Sequence, residues 1–588
     1  MKAKIFPLSV TACSIAAMML AFIATSCITD KYQTDDNSDT TSIFEVSSQV
    51  KISYSGNSAI IDGGGDSIAI ATDGAHITVT STAEGVSYML SGTTSDGSFK
   101  IYSAKSFQLT LDGVSITSES GAAINSQSSK KCVVTLPEGT TNTLCDASSY
   151  NTPASEDEKG CLFSEGQLVF SGGGSLKVTG NHKNGICSDE YVIIEPGTSI
   201  SITKAANDGI HAKEYFLQNG GDLSVTASSD GIDCEDGYVV VNGGSTTVST
   251  DGTAKKCIKA ETYVDINGGT LDLATSGDGK YDSDDDDVKG AACIKSGTDF
   301  TFDNAGATLK STGKGGKGIN ADGKITIDGG TLNVTTTGKE YSYGSSSTGA
   351  KGIKCDGEMT FNGGDVTVSA TGGDDSEGIE SKSTIVVNDG TINVTAYDDA
   401  MNASTNITVN GGRTFCYSSG NDGIDSNGSF LFTEGLTIAV GTTTPEDGFD
   451  CDQNNFAITG GILLGFGGST STPTANSCSQ KSVIYGSVGK SLVAILDSDG
   501  NCLFTYDLSI SYSSAVMLYS SPSLSGGTYT IYTGGAVNGG TSLGNYTTGG
   551  TYSGGSKSSS FKVSGTVTTV GSFSSGGGAG GGHGGGRP

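Results

Sequence analysis

Short runs of alternating apolar and polar residues recur along most of the chain, separated by Gly, Asn and Asp. Such runs predict short β-strands joined by tight turns. A Gly-Ile-x-small signature repeats within this pattern about every 24 residues, with two longer spacings. The repeats start at Gly185, Gly209, Gly231, Cys257, Cys293, Gly318, Gly352, Gly378, Ala400, Gly423 and Gly448, with weaker copies at Ala123 and Gly160. Three strand-like runs per repeat at this period predict one coil of a parallel β-helix.

A second register supports the same fold. A turn follows most repeat starts, usually as Asn or Asp before two glycines, at Asn219, Asn242, Asn267, Asp328, Asn362, Asn388 and Asn410. Gly supplies the positive φ that such a corner needs, and stacked Asn side chains can hydrogen-bond to their neighbours in adjacent coils. The Ile of each signature and the small residue two positions later are predicted to face a narrow core. Cys234, Cys355 and Cys451 occupy these small positions, while Cys257 and Cys293 are predicted neighbours that could be bridged or reduced.

These registers predict an all-β chain with a right-handed parallel β-helix of about 11–13 coils over residues 45–475. A small C-terminal β cap is expected over residues 476–535, because an open end would expose unpaired strand edges. Residues 536–588 are rich in Gly and Ser and are predicted to form a disordered tail. A propeller would repeat every 40 residues or more, and the framework of leucine-rich repeats is missing.

The N-terminus has the pattern of an export signal. Lys2 and Lys4 precede an apolar run, and small residues precede Cys27. We interpret residues 1–26 as a lipoprotein signal peptide, Cys27 as the lipidated residue and residues 27–44 as a flexible tether. Ordinary signal cleavage with an incidental cysteine is the alternative. The expected product is an exported bacterial lipoprotein at the outer membrane or cell surface, held to the outer or the cytoplasmic membrane by its lipid.

The net charge of −30 argues against nucleic acid as a partner and favours divalent cations. Acidic residues flank the signature in two clusters, one with Asp208, Asp230, Asp233 and Glu235, the other with Asp422, Asp425, Asp447, Asp450 and Asp452. Carboxylates stacked at strand spacing repel one another, and Ca²⁺ with its six to eight oxygen ligands would remove the conflict. A solvated acidic corner is the alternative. The four histidines form no evident cluster, which argues against a transition metal, and His211 is expected to be a surface residue.

Between the two clusters the same positions are basic, at Lys256, Lys259, Lys295, Lys317, Lys351 and Lys354. The two long repeats also lie here, and their insertions carry Asp282, Asp284 to Asp287, Tyr341 and Tyr343. We expect these insertions to wall a groove in which the lysines and the two tyrosines bind an extended polyanion together with Ca²⁺. Neutralisation of neighbouring acids is an equally good explanation of the lysines.

Several segments resemble a family of secreted bacterial β-helix carbohydrate-binding proteins that are related in fold to pectate lyases. They are residues 111–116 (LDGVSI), 121–124 (GAAI), 136–144 (LPEGTTNTL), the Asp-Gly-Ile repeats at Asp208 and Asp230, and residues 520–522 and 526–529. The likeness covers about residues 45–535. It implies non-catalytic, calcium-dependent binding of pectin or polygalacturonate. The region from Lys256 to Asn320 departs from the Asp-Gly-Ile pattern.

Three functions follow from the sequence. The first is calcium-dependent binding of an acidic polysaccharide without cleavage. The second is a polysaccharide lyase, which would need Lys259, Lys295 or Lys354 as base because arginine is nearly absent. The third is a structural adhesin with a protein partner.

Overall fold

The computed structural model describes residues 44–452, 455–489, 491–508 and 515–573. The signal peptide, Cys27 and most of the tether lie outside the described residues, as do the last residues of the Gly-rich segment. The structure is built from β-strands wound into a parallel β-helix, which confirms the predicted fold class. Within the described part of the chain, no helix is long and apolar enough to cross a membrane.

Each coil contributes one strand to each of three ladders. The site ladder, which carries the Gly-Ile signature, has 16 strands and starts with an antiparallel hairpin. Its strands are Ile68–Asp73, His76–Ser81, Ser98–Ser103, Ile124–Ser126, Gly160–Ser164, Asn184–Ser188, Ile210–Ala212, Ile232–Cys234, Lys256–Ala260, Ala292–Ser296, Lys317–Ala321, Ile353–Cys355, Ile379–Ser381, Met401–Ala403, Ile424–Ser426 and Phe449–Cys451.

The other two ladders merge at the long strand Phe107–Thr117, which pairs with both of them. The second ladder continues with Cys132–Thr135, Leu168–Ser171, Tyr191–Ile194, Tyr215–Gln218, Tyr238–Val241, Val264–Ile266, Phe300–Phe302, Ile325–Ile327, Met359–Phe361, Thr384–Val387, Asn406–Val409, Ser429–Phe432 and Asn455–Ile458. The third comprises Ser48–Ser55, Val86–Thr94, Phe107–Thr117, Thr141–Cys145, Ser175–Gly180, Ser199–Ala205, Asp222–Ala227, Ser245–Thr250, Thr270–Thr275, Gly306–Ser311, Thr331–Thr336, Asp365–Ala370, Thr391–Ala396, Arg413–Ser418, Leu436–Val440 and Ile462–Gly467.

The stack therefore has about 16 coils, more than the 11–13 predicted. The extra coils lie at the N-terminal end. There Ile77 and Phe99 fill the wall position, so the Gly-Ile signature is absent although the strands pair in the same ladder. An antiparallel strand, Ser58–Asp62, pairs with Ser48–Ser55 at this end.

The signature follows from close packing. The Ile column and the small column are buried throughout, as predicted, and Cys234, Cys355 and Cys451 are buried free thiols. A Cβ on Gly209 would lie 2.1 Å from Val225 Cγ1, so only glycine lets the site ladder approach the third ladder here. Cys257 and Cys293 are neighbours with free thiols, which corresponds to the reduced alternative.

The predicted Asn ladder is confirmed. Asn242 Nδ2 donates to Asn219 Oδ1 at 3.0 Å, and Asn388 Nδ2 donates to Asn362 Oδ1 at 2.8 Å. The second glycine of these turns takes a positive φ, for example +75° at Gly221. These turns align successive coils on the side where the second and third ladders meet.

The C-terminal cap is larger than predicted. Its six-stranded sheet consists of Leu492–Asp497, Cys502–Asp507, Gly527–Thr533, Thr541–Leu543, Tyr546–Thr548 and Ser556–Val563. Ala536–Asn538 pairs with Thr551–Ser553, and Ser482–Val488 lies between Ala515–Ser520 and Val567–Val570. The cap covers the outer face of Leu436–Val440, whose residues are all buried.

Residues 536–573 are thus ordered strands, and the predicted disordered tail is wrong for this stretch. The physical reason is that glycine pairs such as Gly539-Gly540 and Gly549-Gly550 take positive φ and form tight turns instead of a linker. Tyr546, Phe561 and Val563 supply the buried side chains that hold the strands to the cap.

Candidate functional site

Two columns of side chains border the Ile column of the site ladder. The preglycine column stands directly before each repeat start and contains Asn184, Asp208, Asp230, Lys256, Ala292, Lys317, Lys351, Glu377, Asp399, Asp422 and Asp447. The flanking column stands two residues after each start and contains Cys187, His211, Asp233, Lys259, Lys295, Asn320, Lys354, Glu380, Asn402, Asp425 and Asp450. The strand register places successive members of the flanking column opposite one another, as the repeat alignment predicts.

Acids in the preglycine column have a structural role that the sequence did not reveal. Four of them, Asp208, Asp230, Asp399 and Asp422, accept a hydrogen bond from the backbone N–H of the equivalent residue in the next coil. Asp208 Oδ1 accepts from Asp230 at 3.0 Å, and Asp230 Oδ1 accepts from Lys256 at 2.6 Å. Asp422 accepts from Asp447 in the same way. One oxygen of Asp208, Asp230 and Asp422 is therefore already used, which limits them as calcium ligands.

The N-terminal acidic cluster, made of Asp208, Asp230, Asp233 and Glu235, is neutralised by protein cations. His211 Nδ1 lies 3.2 Å from Asp233 Oδ2 and 3.7 Å from Asp208 Oδ2, and His211 Nε2 lies 3.6 Å from Glu235 Oε2. Burial alone lowers the pKa of His211, but Asp208 and Asp233 raise it to about 10. His211 is therefore a half-buried imidazolium within the cluster and not the surface residue that the sequence led us to expect.

Two lysines complete this neutralisation. Lys259 Nζ lies 2.9 Å from Asp233 Oδ1, and Lys255 Nζ lies 3.2 Å from Asp230 Oδ2. Burial raises the pKa of Asp233, but His211 and Lys259 together lower it to about 2. The ion pairs within the cluster thus offset the repulsion among its carboxylates.

Most of the predicted basic stripe is paired with acids. Lys295 contacts Asp322, and Lys354 Nζ lies 2.6 Å from Asp356 Oδ1. Lys351 Nζ lies 2.7 Å from Glu377 Oε1 and 3.0 Å from Glu380 Oε2. The structure favours neutralisation of neighbouring acids as the role of these lysines.

Lys256 and Lys317 differ, since neither makes an ion pair within the described ranges. Lys256 Nζ donates to Ala254 O at 2.6 Å, and Lys317 Nζ donates to Thr348 Oγ1 at 2.6 Å. Burial lowers the pKa of Lys256 to about 8. Burial, followed by repulsion from Lys351 and Lys354, lowers the pKa of Lys317 to about 7. Lys317 is only 6% exposed and supports the hairpin above it.

The two insertions form hairpins, Lys280–Asp282 with Asp287–Lys289 and Tyr341–Tyr343 with Ser346–Thr348. They pack on each other: the rings of Tyr281 and Tyr343 stack with centroids 4.2 Å apart. Tyr341 lies against Gly279, where a Cβ would be 2.8 Å from its Cγ. The insertions therefore form one ridge, and the predicted groove between two walls is wrong because aromatic stacking closes it. Tyr343 is 54% exposed on this ridge, while Tyr341 is half-buried.

The C-terminal acidic cluster comprises Asp422, Asp425, Asp447, Asp450 and Asp452. It forms no ion pair with a Lys, Arg or His among the residues that the structure covers. Asp447 is 3% exposed, and neither of its carboxylate oxygens makes a well-formed hydrogen bond; Asp425 Oδ1 is also buried without one. Asp425 Oδ2 accepts from Asn402 Nδ2 at 2.7 Å, and Asp450 Oδ1 accepts from Ser471 Oγ at 3.0 Å. Asp452 is exposed.

The pKa values of this cluster show the cost of its unbalanced charge. Burial and then repulsion from Asp399 and Asp450 raise the pKa of Asp425 to about 9. Burial and then Asp450 raise the pKa of Asp447 to about 8. Burial raises the pKa of Asp422 far above its usual range, and Asp447 adds repulsion. A divalent cation would remove this cost, because it supplies the charge that the chain does not.

Three potential ligand atoms lie within 4.8 Å of one another at two places in the described residues. One is Asp208, His211 and Asp233, where the imidazolium already fills the position. The other is Asp375, Glu377 and Asp398, which the sequence did not single out. Its signal was the insertion Gly372-Gly373-Asp374-Asp375 directly before the repeat start at Gly378. In the C-terminal cluster the carboxylates are spread more widely along the ladder.

Most of the chain is similar to one family of known proteins. The family model of carbohydrate-binding domain-containing proteins matches residues 73–337, 312–376 and 372–539. A carbohydrate-binding domain-containing protein of Acetivibrio thermocellus is 35% identical over 114 residues, which are 19% of this chain and 40% of that relative. The chain thus matches less than half of the relative's length.

A solved structure of the polysaccharide lyase-like protein from C. thermocellum, a gadolinium derivative, aligns with 27% identity and a TM-score of 0.35. The alignment covers 39% of this chain and 92% of that one. The matches to the family model span most of the described residues. The chain belongs to the family of carbohydrate-binding domain-containing proteins.

Proposed function

We propose that the protein binds acidic polysaccharide, of the pectin or polygalacturonate type, through Ca²⁺ held at the C-terminal acidic cluster, and does not cleave it. The observation that carries this proposal is the set of buried carboxylate oxygens on Asp425 and Asp447 that lack a well-formed hydrogen bond and have no protein cation within ion-pair distance. Carboxylate oxygens are the ligands that Ca²⁺ prefers.

The surface next to these buried groups supports a bridging role for the ion. Asp450 is half-buried and Asp452 is exposed, so the cluster extends from the interior to solvent. A chain with a net charge of −30 repels a polyuronate. A cation shared between protein and sugar carboxylates would reverse that repulsion locally, and Tyr343 on the ridge offers an exposed ring for a sugar face.

The lysines argue for binding over cleavage. Lys259, Lys295 and Lys354, which a lyase would need as base, are each paired with an Asp. Asp233 raises the pKa of Lys259 against the lowering effect of burial, so this lysine is held protonated. Lys256 and Lys317 have lowered pKa values but donate to neighbouring oxygen atoms in the fold. A lyase that uses Lys317 is the second candidate, and its lowered pKa is the observation in its favour.

The binding test uses the mature protein retained on immobilised polygalacturonate with Ca²⁺ or with EDTA. We expect retention with Ca²⁺, loss with EDTA, and at least a tenfold weaker affinity for Asp425→Asn/Asp450→Asn. Asp272→Asn is the matched control, because Asp272 is an exposed acid on the third ladder. Retention that ignores EDTA would contradict the role of Ca²⁺ and favour the adhesin.

Cleavage is followed separately as the absorbance of unsaturated product from soluble polygalacturonate. Product formation that is lost in Lys317→Met would show that the protein is a lyase and contradict binding without cleavage.

For the cellular location, we propose that the chain is an exported lipoprotein anchored at Cys27. Replacement of Cys27 by Ser is expected to move the protein out of the membrane fraction, and unchanged fractionation would contradict the anchor.

A further inference from the structure

A carboxylate triad lies on the site ladder between the basic stripe and the C-terminal acidic cluster. Asp375 and Glu377 come from the loop before the repeat start at Gly378, and Asp398 comes from the next coil. One oxygen from each of the three lies within 4.8 Å of the others. Ca²⁺ binds each oxygen at about 2.4 Å, so two oxygens on one ion lie at most about 4.8 Å apart. The three carboxylates are therefore close enough to share one ion.

Glu377 is the group that needs a ligand most. It is 9% exposed, and its Oε2 is buried with no hydrogen bond. Its other oxygen, Oε1, lies 2.7 Å from Lys351 Nζ. An unpartnered carboxylate oxygen in such a position is costly, and it points to a cation in addition to the lysine.

The charged groups around Glu377 also carry an excess of negative charge. Lys351 Nζ lies 2.7, 3.0 and 3.2 Å from carboxylate oxygens of Glu377, Glu380 and Asp375, and Lys382 contacts Glu380. Asp398 has no ion pair in the described segments, although Asn421 Nδ2 donates to its Oδ1 at 2.7 Å. Two lysines therefore face four carboxylates, and a divalent cation would balance the remaining charge.

The loop is already held in the shape that the site needs. Asp375 has a φ of +60°, and its N–H donates to Asp398 Oδ2 at 2.9 Å. Gly349 leaves room for this loop, since a Cβ there would lie 1.9 Å from Asp375 O. The bond between Asp375 and Asp398 keeps two of the three carboxylates together before any ion arrives.

We propose that Asp375, Glu377 and Asp398 form a further divalent-cation site that can hold Ca²⁺ and that ties the loop before Gly378 to the following coil. All of its ligands are oxygens and none is His or Cys, which is the donor set of a hard cation. The site does not depend on the proposed glycan function, because it lies on different residues from the C-terminal acidic cluster.

The experiment is calorimetric titration of the mature chain with CaCl₂. We expect Glu377→Gln and Asp398→Asn each to lose one equivalent of bound Ca²⁺, while Asp272→Asn keeps the parent stoichiometry. Glu377→Gln preserves size, and thermal unfolding of each variant identifies one that fails to fold. Asp398→Asn then serves as the second variant.

Terbium luminescence gives an independent signal. The chain contains no Trp, so Tyr must sensitise bound Tb³⁺, and Tyr397 directly precedes Asp398. We expect Tyr397→Phe to reduce the luminescence but not the calorimetric stoichiometry. Folded Glu377→Gln and Asp398→Asn that both bind as much Ca²⁺ as the parent would overturn the site. Loss of an equivalent only in Asp425→Asn/Asp450→Asn would overturn this site and leave the proposed function intact. Loss of an equivalent only in Glu377→Gln and Asp398→Asn would support this site and contradict the proposed function.

Discussion

The two acidic clusters occupy the same two columns of one β-ladder but solve the same electrostatic problem differently. In the N-terminal acidic cluster, His211, Lys255 and Lys259 lie within ion-pair distance of the carboxylates. In the C-terminal acidic cluster, buried oxygens of Asp425 and Asp447 have no such partner. Stacked acids are therefore not sufficient to indicate a metal site. The difference lies in which residues occupy the neighbouring coils.

The largest effect is expected when the protein cations are removed from the N-terminal acidic cluster, because its carboxylates then resemble those of the C-terminal acidic cluster. His211→Ala/Lys259→Met leaves Asp208 and Asp233 buried without a cation, and we expect a loss of about 3 kcal/mol in the free energy of unfolding. Added Ca²⁺ is expected to recover part of this loss, as measured by urea unfolding with and without the ion. Adding Asp233→Asn to the same variant is the control and should restore stability without Ca²⁺. A double variant as stable as the parent would show that the ion pairs do not matter.

The second test is the pH dependence of stability, to which Asp233 of the N-terminal acidic cluster contributes with the opposite sign to Asp425 and Asp447 of the C-terminal acidic cluster. The pKa of Asp233 is lowered to about 2, so its stabilising contribution is present at neutral pH and is lost on acidification. The pKa values of Asp425 and Asp447 are raised to about 9 and about 8. The folded state then binds more protons than the unfolded state, so metal-free stability falls as pH rises above about 4.

This pH effect is measured as the unfolding midpoint without Ca²⁺ between about pH 5 and about pH 8, where we expect a fall of several degrees. Asp425→Asn should flatten the fall, and saturating Ca²⁺ should cancel it. A parent midpoint that rises over this range and does not respond to Ca²⁺ would be inconsistent with an unbalanced C-terminal acidic cluster.

Lys317 tests the opposite case, a buried cation without a carboxylate. Its pKa is lowered to about 7, so the unfolded state binds more protons than the folded state above that pH, and its cost is largest below about pH 7. We expect Lys317→Met to raise the unfolding midpoint by a few degrees at about pH 6 and to change it little at about pH 9. A lower midpoint at both pH values would mean that its bond to Thr348 outweighs the cost of the charge.

The smallest expected effect is that of the Asn ladder, on the other side of the coil. Asn388 donates to Asn362 and accepts from Asn410, both in exposed positions. Asn388→Ala is expected to cost about 1 kcal/mol and to leave Ca²⁺ binding unchanged, as measured by urea unfolding and calorimetry. If Asn388→Ala lowered the free energy of unfolding as much as His211→Ala/Lys259→Met, the Asn turns would matter as much to the stability of the β-helix as the balance of charge.

The sequence predicted the coil well because its constraints repeat. Glycine at the repeat start, Ile in the wall and a small residue behind it are imposed by the same packing in most coils. The N-terminal coils lay within the predicted β-helix but were not counted, and the strands of residues 536–573 were missed, because these segments lack that signature. Their burial depends on Phe99 or on Tyr546, whose partners are distant in sequence.

The candidate site was predicted less completely, because charge balance depends on distances across coils. The position of each acid was readable, but the ion pairs of His211 and Lys351 were not. The hydrogen bonds that Asp208, Asp230 and Asp422 accept from the backbone of the next coil were also hidden, since a backbone donor leaves no mark in the sequence. The Asp375 triad was missed for a related reason: its third member comes from the following coil.

Calcium titration of two matched double variants tests the central claim most directly. Asp425→Asn/Asp450→Asn removes two acids from the C-terminal acidic cluster, and Asp208→Asn/Asp233→Asn removes two from the N-terminal acidic cluster. We predict that only the first variant loses one equivalent of bound Ca²⁺ and its retention on polygalacturonate. Loss in the second variant with full binding in the first would contradict the assignment of the ion to the unpaired cluster.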